Sequence, residues 1–158
     1  MYSLPTWFEL SPLLTLVFLG RPHDSSALHG QVIESVGTRG SEWVFAQLRE
    51  AAVAARDAVL ARDLDAFGQA MIANTEAQGS LHPGIVGVDA RRVIEVAAAH
   101  GALGWKVNGA GGDGGSVTIL SDTQEAKEAF DQRVTVVDTR YRVLPIQVST
   151  VGLEVRTL

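Results

Sequence analysis

The sequence has 158 residues and contains no cysteine. This absence excludes disulfide bonds, thiolate catalysis and zinc sites built on cysteine. Long basic runs are also missing and the formal net charge is −5, so a general nucleic-acid-binding surface is not expected. The apolar run 13–19 is too short to cross a bilayer and has no basic flank before it. Neither membrane binding nor a signal peptide is therefore predicted.

The composition favours a single folded domain over residues 1–158. Hydrophobic residues make up 46% of the chain and charged residues 20%, which is typical of proteins that bury a core. No internal repeat, low-complexity segment or interdomain linker interrupts the sequence. Because cysteine is absent, a reducing compartment suits the chain, and we expect it to be cytoplasmic.

Strands are predicted where short apolar stretches are rich in strand-forming residues and end at turn residues. The clearest is 13–19, which stops at Gly20, Arg21 and Pro22. Two others, 103–108 and 117–120, lie on either side of a glycine-rich run. Further strands are predicted at 2–10, 134–137, 144–148 and 153–155.

Helices are predicted where a capping residue precedes apolar residues at helical spacing. The longest covers 42–61, where alanine is abundant. An earlier helix is predicted to begin at Asp24, Ser25 or Ser26 and to end near residue 36. Two more are predicted from Asp63 or Asp65 to about residue 79 and from Asp89 to about residue 101. The last begins at a capping box of Asp122 and Glu125 and ends near residue 132. Since the strands around the glycine run are close in sequence, we expect an antiparallel pair. The pattern predicts an α+β fold, with one antiparallel sheet and helices mainly on one face.

The glycine-rich run is the most distinctive segment of the chain. Five of the 16 glycines fall within residues 109–115, between two predicted strands and not between domains, which argues against a flexible linker. Glycines there permit positive φ angles, and successive exposed amides can bind an anion. The alternative is a purely structural hairpin that packs closely against a neighbour. No Gly-Lys-[Ser/Thr] follows, so this is not a P-loop, and the strand after it excludes a Rossmann fingerprint.

Residues 106–116, Lys-Val-Asn-Gly-Ala-Gly-Gly-Asp-Gly-Gly-Ser, resemble the third signature motif of the GHMP kinases, the superfamily of galactokinase, homoserine kinase, mevalonate kinase and phosphomevalonate kinase. Residues 16–26 resemble the strand and turn that begin the C-terminal domain of that family, and 63–68 and 81–85 the helices and loop before the motif. The resemblance is strongest to heptose-phosphate and related sugar kinases. It implies a ferredoxin-like C-terminal domain over nearly the whole chain.

The resemblance also implies a function. A complete enzyme of this kind transfers the γ-phosphoryl group of ATP, with Mg²⁺, to a hydroxyl of a sugar or sugar phosphate. Nothing in the sequence matches the ATP-phosphate loop of the family's N-terminal domain. We therefore expect the chain alone to be inactive, to bind ATP and Mg²⁺ weakly, and to need an N-terminal kinase domain as partner or to form a homodimer. The alternative is a non-catalytic binding or dimerisation module that retains the fold.

By the same resemblance, the ATP-side loop consists of Gly109, Ala110, Gly111, Gly112, Asp113, Gly114, Gly115 and Ser116. The substrate-side candidates are His23, Ser25, Ser26, His82 and Lys106. Simpler roles remain open: Ser25 as a helix cap, His82 as an ordinary loop residue, and Lys106 on a solvent face. Asp113 departs from the family pattern, and a turn-stabilising role and a magnesium-binding role are both open for it. The sequence assigns no catalytic residue and no metal ligand.

Overall fold

The computed structural model describes residues 10–22, 30, 32–33, 41–109, 112 and 114–149. After a 3₁₀ turn at Ser11–Leu13, these ranges contain four strands, β1 (Leu14–Phe18), β2 (Ala102–Asn108), β3 (Ser116–Ser121) and β4 (Arg142–Leu144). They also contain four α-helices, α1 (Ser41–Ala61), α2 (Leu64–Leu81), α3 (Val88–Ala99) and α4 (Gln124–Val137). None of the helices described is long and apolar enough to cross a membrane.

The four strands form one antiparallel sheet in the order β2-β3-β1-β4. The pair β2–β3 brackets the glycine-rich run, with Val107 opposite Val117. On its other side β3 pairs with β1, where Val17 is opposite Val117. The predicted α+β fold with one antiparallel sheet is confirmed.

The main core lies between one face of the sheet and helices α3 and α4. Val17, Val117 and Ile119 from the sheet meet Val93 of α3 and Phe130 of α4, and all five are buried. Removing such side chains from water contributes on the order of 2 kcal/mol each. A smaller cluster of Leu10, Met71 and Leu120 forms separately. The larger core therefore fixes the strands that carry the glycine-rich run.

Helix α2 lies along the free edge of β2. The two backbones approach so closely that a Cβ on Gly68 would lie 2.4 Å from the Leu103 carbonyl oxygen, and a Cβ on Gly104 the same distance from the Gly68 carbonyl oxygen. The hydroxyl of Thr75 donates to the Trp105 carbonyl oxygen at 3.1 Å and accepts from the Val107 amide at 3.3 Å. A helix thus satisfies polar groups that an exposed edge strand would offer to another chain. Helix α1 packs against α2.

Most predicted elements around this frame are confirmed. The strand 13–19 appears as β1, the helix 42–61 as α1, and the strands flanking the glycine run as β2 and β3. Asp63 caps α2 by accepting from the Ala66 amide at 2.9 Å, and the helix then continues through Gly79 to Leu81. Gly101 follows the C-cap of α3 with φ +73°.

The predicted strand 134–137 is wrong, because these residues form the last turn of α4. Val134 is fully buried one helical turn after Phe130, and Val137 packs on the same core. Packing at helical spacing overrides the strand preference of β-branched residues. The cap of α4 is Thr123 and not Asp122: the Thr123 hydroxyl accepts from the Ala126 amide at 3.1 Å.

The predicted strand 144–148 overlaps the observed β4 only at Leu144. Pro145 follows, and proline has no N–H to continue a strand ladder. Residues 2–9, most of the helix predicted to end near 36, and the strand 153–155 lie outside the described residues. Leu10, placed in the first predicted strand, is helical, and so are Gly30, Val32 and Ile33.

Candidate functional site

The glycine-rich run connects β2 to β3 at one end of the sheet. Gly109, Gly112 and Gly115 have φ angles of +65°, +72° and +77°, a region that glycine occupies at little cost. Three such residues turn the chain between two antiparallel strands in a path that ordinary side chains would resist. The predicted loop between two strands is confirmed.

One flank of the glycine loop is the connection 82–87 between α2 and α3. The Gly112 amide donates to the Ile85 carbonyl oxygen at 3.1 Å, and Gly112 forms a parallel bridge with Val86. In this connection the Nδ1 atom of His82 accepts from the Gly84 amide at 3.0 Å, and the His82 side chain is half-buried. The segment that carries His82 therefore lies against the glycine loop.

The opposite flank is the turn that follows β1. The Gly115 amide donates to the Arg21 carbonyl oxygen at 3.0 Å, and the Leu19 amide donates to the Gly115 carbonyl oxygen at 2.9 Å. A Cβ on Gly114 would lie only 2.4 Å from the Arg21 carbonyl oxygen. This turn leads directly to His23 in the sequence. The loop is thus held between the segment that carries His82 and the turn that leads to His23, two predicted substrate-side candidates.

Side chains hold the start of the loop to the last turn of α2. The Gln78 Nε2 atom donates to the Gly109 carbonyl oxygen at 3.2 Å, and the Lys106 Nζ atom donates to Gln78 Oε1 at 2.7 Å. Lys106 Nζ also donates to the Val107 carbonyl oxygen. Partial burial of this ammonium lowers its pKa. Lys106 therefore lies at the edge of the sheet, between β2 and α2.

Three hydrogen-bonded polar side chains join β2 and β3 next to the loop. Asn108 Nδ2 donates to the hydroxyl oxygens of Ser116 and Thr118 at 3.1 and 3.0 Å. These three residues project from the face of the sheet opposite Val107 and Val117, because side chains alternate along a strand. The Ser116 hydroxyl, one of the predicted loop residues, therefore already has a protein partner.

A charged network behind the loop was not found by sequence reasoning. Asp89 was predicted to cap α3, but Gly87 occupies that position and Asp89 is buried. Its carboxylate accepts from Tyr141 Oη at 2.7 Å, from Arg140 at 3.2 Å and from Arg21 at 3.4 Å. A cap and a buried ion-pair centre both need a carboxylate near a helix start, so the sequence alone could not separate them. Only the long-range contacts identify the role.

Electrostatic effects in this network are large. Burial, together with the hydrogen bond to Asp89, raises the pKa of Tyr141 to about 12. Hydrogen bonds from Arg140 lower the pKa of Asp138 to about 2. Asp138 also lies 3.9 Å from Arg92. At neutral pH Asp138 is therefore ionised, and Tyr141 is a neutral hydrogen-bond donor.

Comparison with known protein families gives one match, to the family model described as GHMP kinases C terminal, over residues 55–135. This is just over half of the chain. The chain belongs to the GHMP kinase C-terminal family. The matched residues include the whole glycine loop, its flank 82–87 and the strand β3 that follows.

Solved structures show the same fold at low sequence identity. Mevalonate kinase from L. major, in complex with R-mevalonate, is 19% identical with a TM-score of 0.70, over 85% of this chain and 43% of that one. Mevalonate kinase from Methanococcus jannaschii is 22% identical with a TM-score of 0.65, over 87% and 41%. A protein assigned as a sugar kinase from Campylobacter jejuni is 15% identical with a TM-score of 0.54, over 93% and 39%. No curated protein sequence matches the chain. The chain spans less than half the length of these structures.

In this GHMP kinase domain, the structure brings together part of the predicted site. It describes the loop residues Gly109, Gly112, Gly114, Gly115 and Ser116 and the substrate-side candidates His82 and Lys106. Ala110, Gly111, Asp113, His23, Ser25 and Ser26 lie outside the described residues. Anion binding by the loop and substrate contacts by His82 and Lys106 stay predictions. Among the residues described, no group of three or more His, Asp or Glu side chains is close enough to hold a metal ion.

Proposed function

We propose that the chain is the C-terminal part of an ATP-dependent kinase that phosphorylates a hydroxyl of a small molecule, most simply a sugar or sugar phosphate. The observation that carries the proposal is the position of the glycine loop, bonded to residue 85 on one flank and to Arg21 on the other. These bonds hold Gly112 and Gly115 in place, and a phosphate-binding or geometry-setting element of a kinase requires such positioning. Family membership supports the same function.

ATP and Mg²⁺ belong to this proposal as cofactors of the complete enzyme. When bound, they supply the phosphoryl group and neutralise its developing charge. The described residues contain no ligand set for Mg²⁺, so we assign no ligand to it on this chain. The Gly112 and Gly115 amides are already bonded to protein carbonyls, so in the described part of the loop they fix its base and do not bind phosphate. Phosphate contacts would have to come from the rest of the loop and from an N-terminal kinase domain.

The structural neighbours include two mevalonate kinases and a protein assigned as a sugar kinase, so R-mevalonate belongs in a test panel beside sugars and their phosphates, heptose phosphates included. Identities of 15–22% support a shared fold and do not select among these acceptors.

ADP release from Mg²⁺-ATP tests the proposal. The panel is assayed with the chain alone and with the chain plus the polypeptide encoded upstream of it. We expect release only with the combination and with one class of acceptor. Robust turnover by the chain alone would overturn its dependence on an N-terminal domain. Absence of turnover by a combination that carries the family's phosphate loop would overturn the kinase assignment for this panel.

A non-catalytic binding or dimerisation module is the second candidate. The engagement of the Gly112 and Gly115 amides favours it, because two of the loop's donors serve packing. An exposed Trp43 and Leu60 on α1 are consistent with a protein partner. Light scattering after size-exclusion chromatography separates the versions of this candidate. A stable dimer that releases no ADP under any condition supports the module, and a monodisperse monomer excludes dimerisation.

A further inference from the structure

Side chains donate hydrogen bonds to backbone carbonyl groups along the free edge of β2. On this edge the carbonyl groups of Trp105, Val107 and Gly109, the residue after β2, accept from Thr75, Lys106 and Gln78 respectively. A neighbouring strand would normally supply these donors. Here one helix and one lysine replace it, and the last of the three carbonyls belongs to the first residue of the glycine loop.

Gln78 is the only one of these donors that reaches the loop. Its amide group uses both ends, because Nε2 donates to the Gly109 carbonyl oxygen and Oε1 accepts from Lys106. An amide is the one side-chain group that offers a donor and an acceptor in this fixed arrangement. Glutamate in the same place would keep the contact with Lys106 and lose the donor to Gly109.

The partners of the Lys106 ammonium indicate that it holds the Gln78 side chain in place. Among the described residues no carboxylate pairs with Lys106; its partners are oxygens of Gln78 and Val107. Gln78 lies in the last turn of α2, where the helix dipole presents its negative end and where α2 has no basic residue of its own. The ammonium therefore donates to oxygens of uncharged groups, and its bond to Oε1 orients Gln78.

We propose that Gln78 is a positioning residue for the glycine loop, oriented by Lys106 and acting through the Gly109 carbonyl group. The inference rests on the proposed function for its consequence, since a correctly placed loop matters most if it binds phosphate. Lys106 then contributes to the site through Gln78 and not by touching a substrate anion.

Hydrogen exchange of backbone amides in the intact chain tests the placement of the loop. The variants are Gln78→Leu, which removes both contacts, and Gln78→Glu, which removes only the donor to Gly109. Gln69→Leu is the matched control, because Gln69 is exposed on the same helix. We expect both Gln78 variants to speed exchange at residues 109–115 about five- to tenfold relative to β3, as the loss of one hydrogen bond predicts. The control should leave these rates unchanged.

A second readout separates positioning from general stability. In Gln78→Glu the new carboxylate should raise the pKa of Lys106, measured by NMR of its side chain, while the loop still exchanges faster. Unchanged loop exchange in both Gln78 variants would overturn the proposal. If Gln78→Leu loosens the whole domain, Gln78→Glu decides, because it retains the Lys106 contact: faster exchange confined to the loop supports positioning, and uniformly faster exchange overturns it.

Inorganic pyrophosphate tests the link to phosphate binding. Titration followed by the loop amides should give an affinity for the wild-type chain that both Gln78 variants weaken about three- to tenfold and Gln69→Leu does not. No response of the wild-type loop to pyrophosphate would count against the phosphate-binding role, and the exchange experiment would still decide whether Gln78 positions the loop. Binding that is equally strong in wild type and both Gln78 variants would overturn the functional part of the inference.

Discussion

The two ends of the glycine loop are held by different physics. At its start, hydrogen bonds from partly exposed side chains connect Gly109 to α2 through Gln78, which Lys106 holds. At its end, close backbone packing fixes Gly114 and Gly115 against Arg21, whose side chain joins the buried carboxylate of Asp89. Packing without spare room tolerates little change, whereas a single exposed hydrogen bond is replaceable by water. The loop therefore has a rigid end and an adjustable start.

The largest expected effect is at the rigid end. Gly114→Ala places a Cβ 2.4 Å from the Arg21 carbonyl oxygen, and neither backbone can move without breaking the Gly115 hydrogen bond. We expect a loss of about 2–3 kcal/mol in the free energy of unfolding, measured by urea titration. Gly30→Ala is the control, because nothing lies within 4 Å of its added Cβ. A Gly114→Ala variant as stable as the wild type would show that the end of the loop is not tightly packed.

The second-largest effect on the free energy of unfolding is expected from the charged network around Asp89. Asp89→Asn keeps the shape of the side chain and removes the charge that pairs with Arg21 and Arg140. We expect a loss of about 1–2 kcal/mol, because the ion pairs with Arg21 and Arg140 become hydrogen bonds to an uncharged acceptor while Tyr141 keeps an acceptor. Urea titration measures this loss. Asp122→Asn, at an exposed position, is the matched control and should be neutral. Equal stability of the two variants would remove Asp89 from the support of the loop.

As pH rises above neutral, the contributions of the two ends to the free energy of unfolding should change in opposite directions. The pKa of Tyr141 is raised from 10.0 to about 12, so the folded protein holds this proton more tightly than the unfolded chain. Its stabilisation is complete below pH 10 and is lost as pH rises towards 12. The pKa of Lys106 is lowered from 10.5, so folding disfavours its proton, and its contribution to stability improves as pH rises towards 10.5.

Unfolding by urea at pH 8–11 measures both slopes. Relative to wild type, Tyr141→Phe should lose less stability as pH rises above 10, because the titrating phenol is gone. Lys106→Met should lack the gain that wild type makes as pH approaches 10.5. Parallel pH profiles for wild type and both variants would contradict the difference between the two ends.

Local patterns in the sequence predict much of this architecture. Alanine-rich spacing predicts α1, and the apolar stretches that flank the glycine run predict β2 and β3. The predicted strand 134–137 shows where such patterns fail. Val134 reads as a strand residue by itself, and only its burial one turn after Phe130 makes it helical. Tertiary packing decides such cases, and a single sequence does not contain it.

The same limit applies to the candidate site. The glycine run and the stretch 81–85, which contains His82, can be recognised in the sequence by their resemblance to family motifs. The partners that fix the loop are not: Gln78 acts from 31 residues before Gly109, and Asp89 meets Tyr141 across 52 residues. No pattern marks Gln78, and the place of Asp89 near a helix start predicts a cap and not a buried ion pair. Gly68 and Gly104 likewise look like weak points of a helix and a strand until their mutual approach gives the reason.

The smallest expected effect is the coupling between the two ends. If the start and the end of the loop are supported independently, Gln78→Leu and Asp89→Asn should have additive effects on the free energy of unfolding, with a coupling below about 0.5 kcal/mol. The two sites share no hydrogen-bond partner among the described residues, since Gln78 contacts Gly109 and Lys106 while Asp89 contacts Arg21, Arg140 and Tyr141. A double-mutant cycle by urea titration measures the coupling. A value above about 1 kcal/mol would mean that the glycine loop transmits strain between its ends and behaves as one rigid unit.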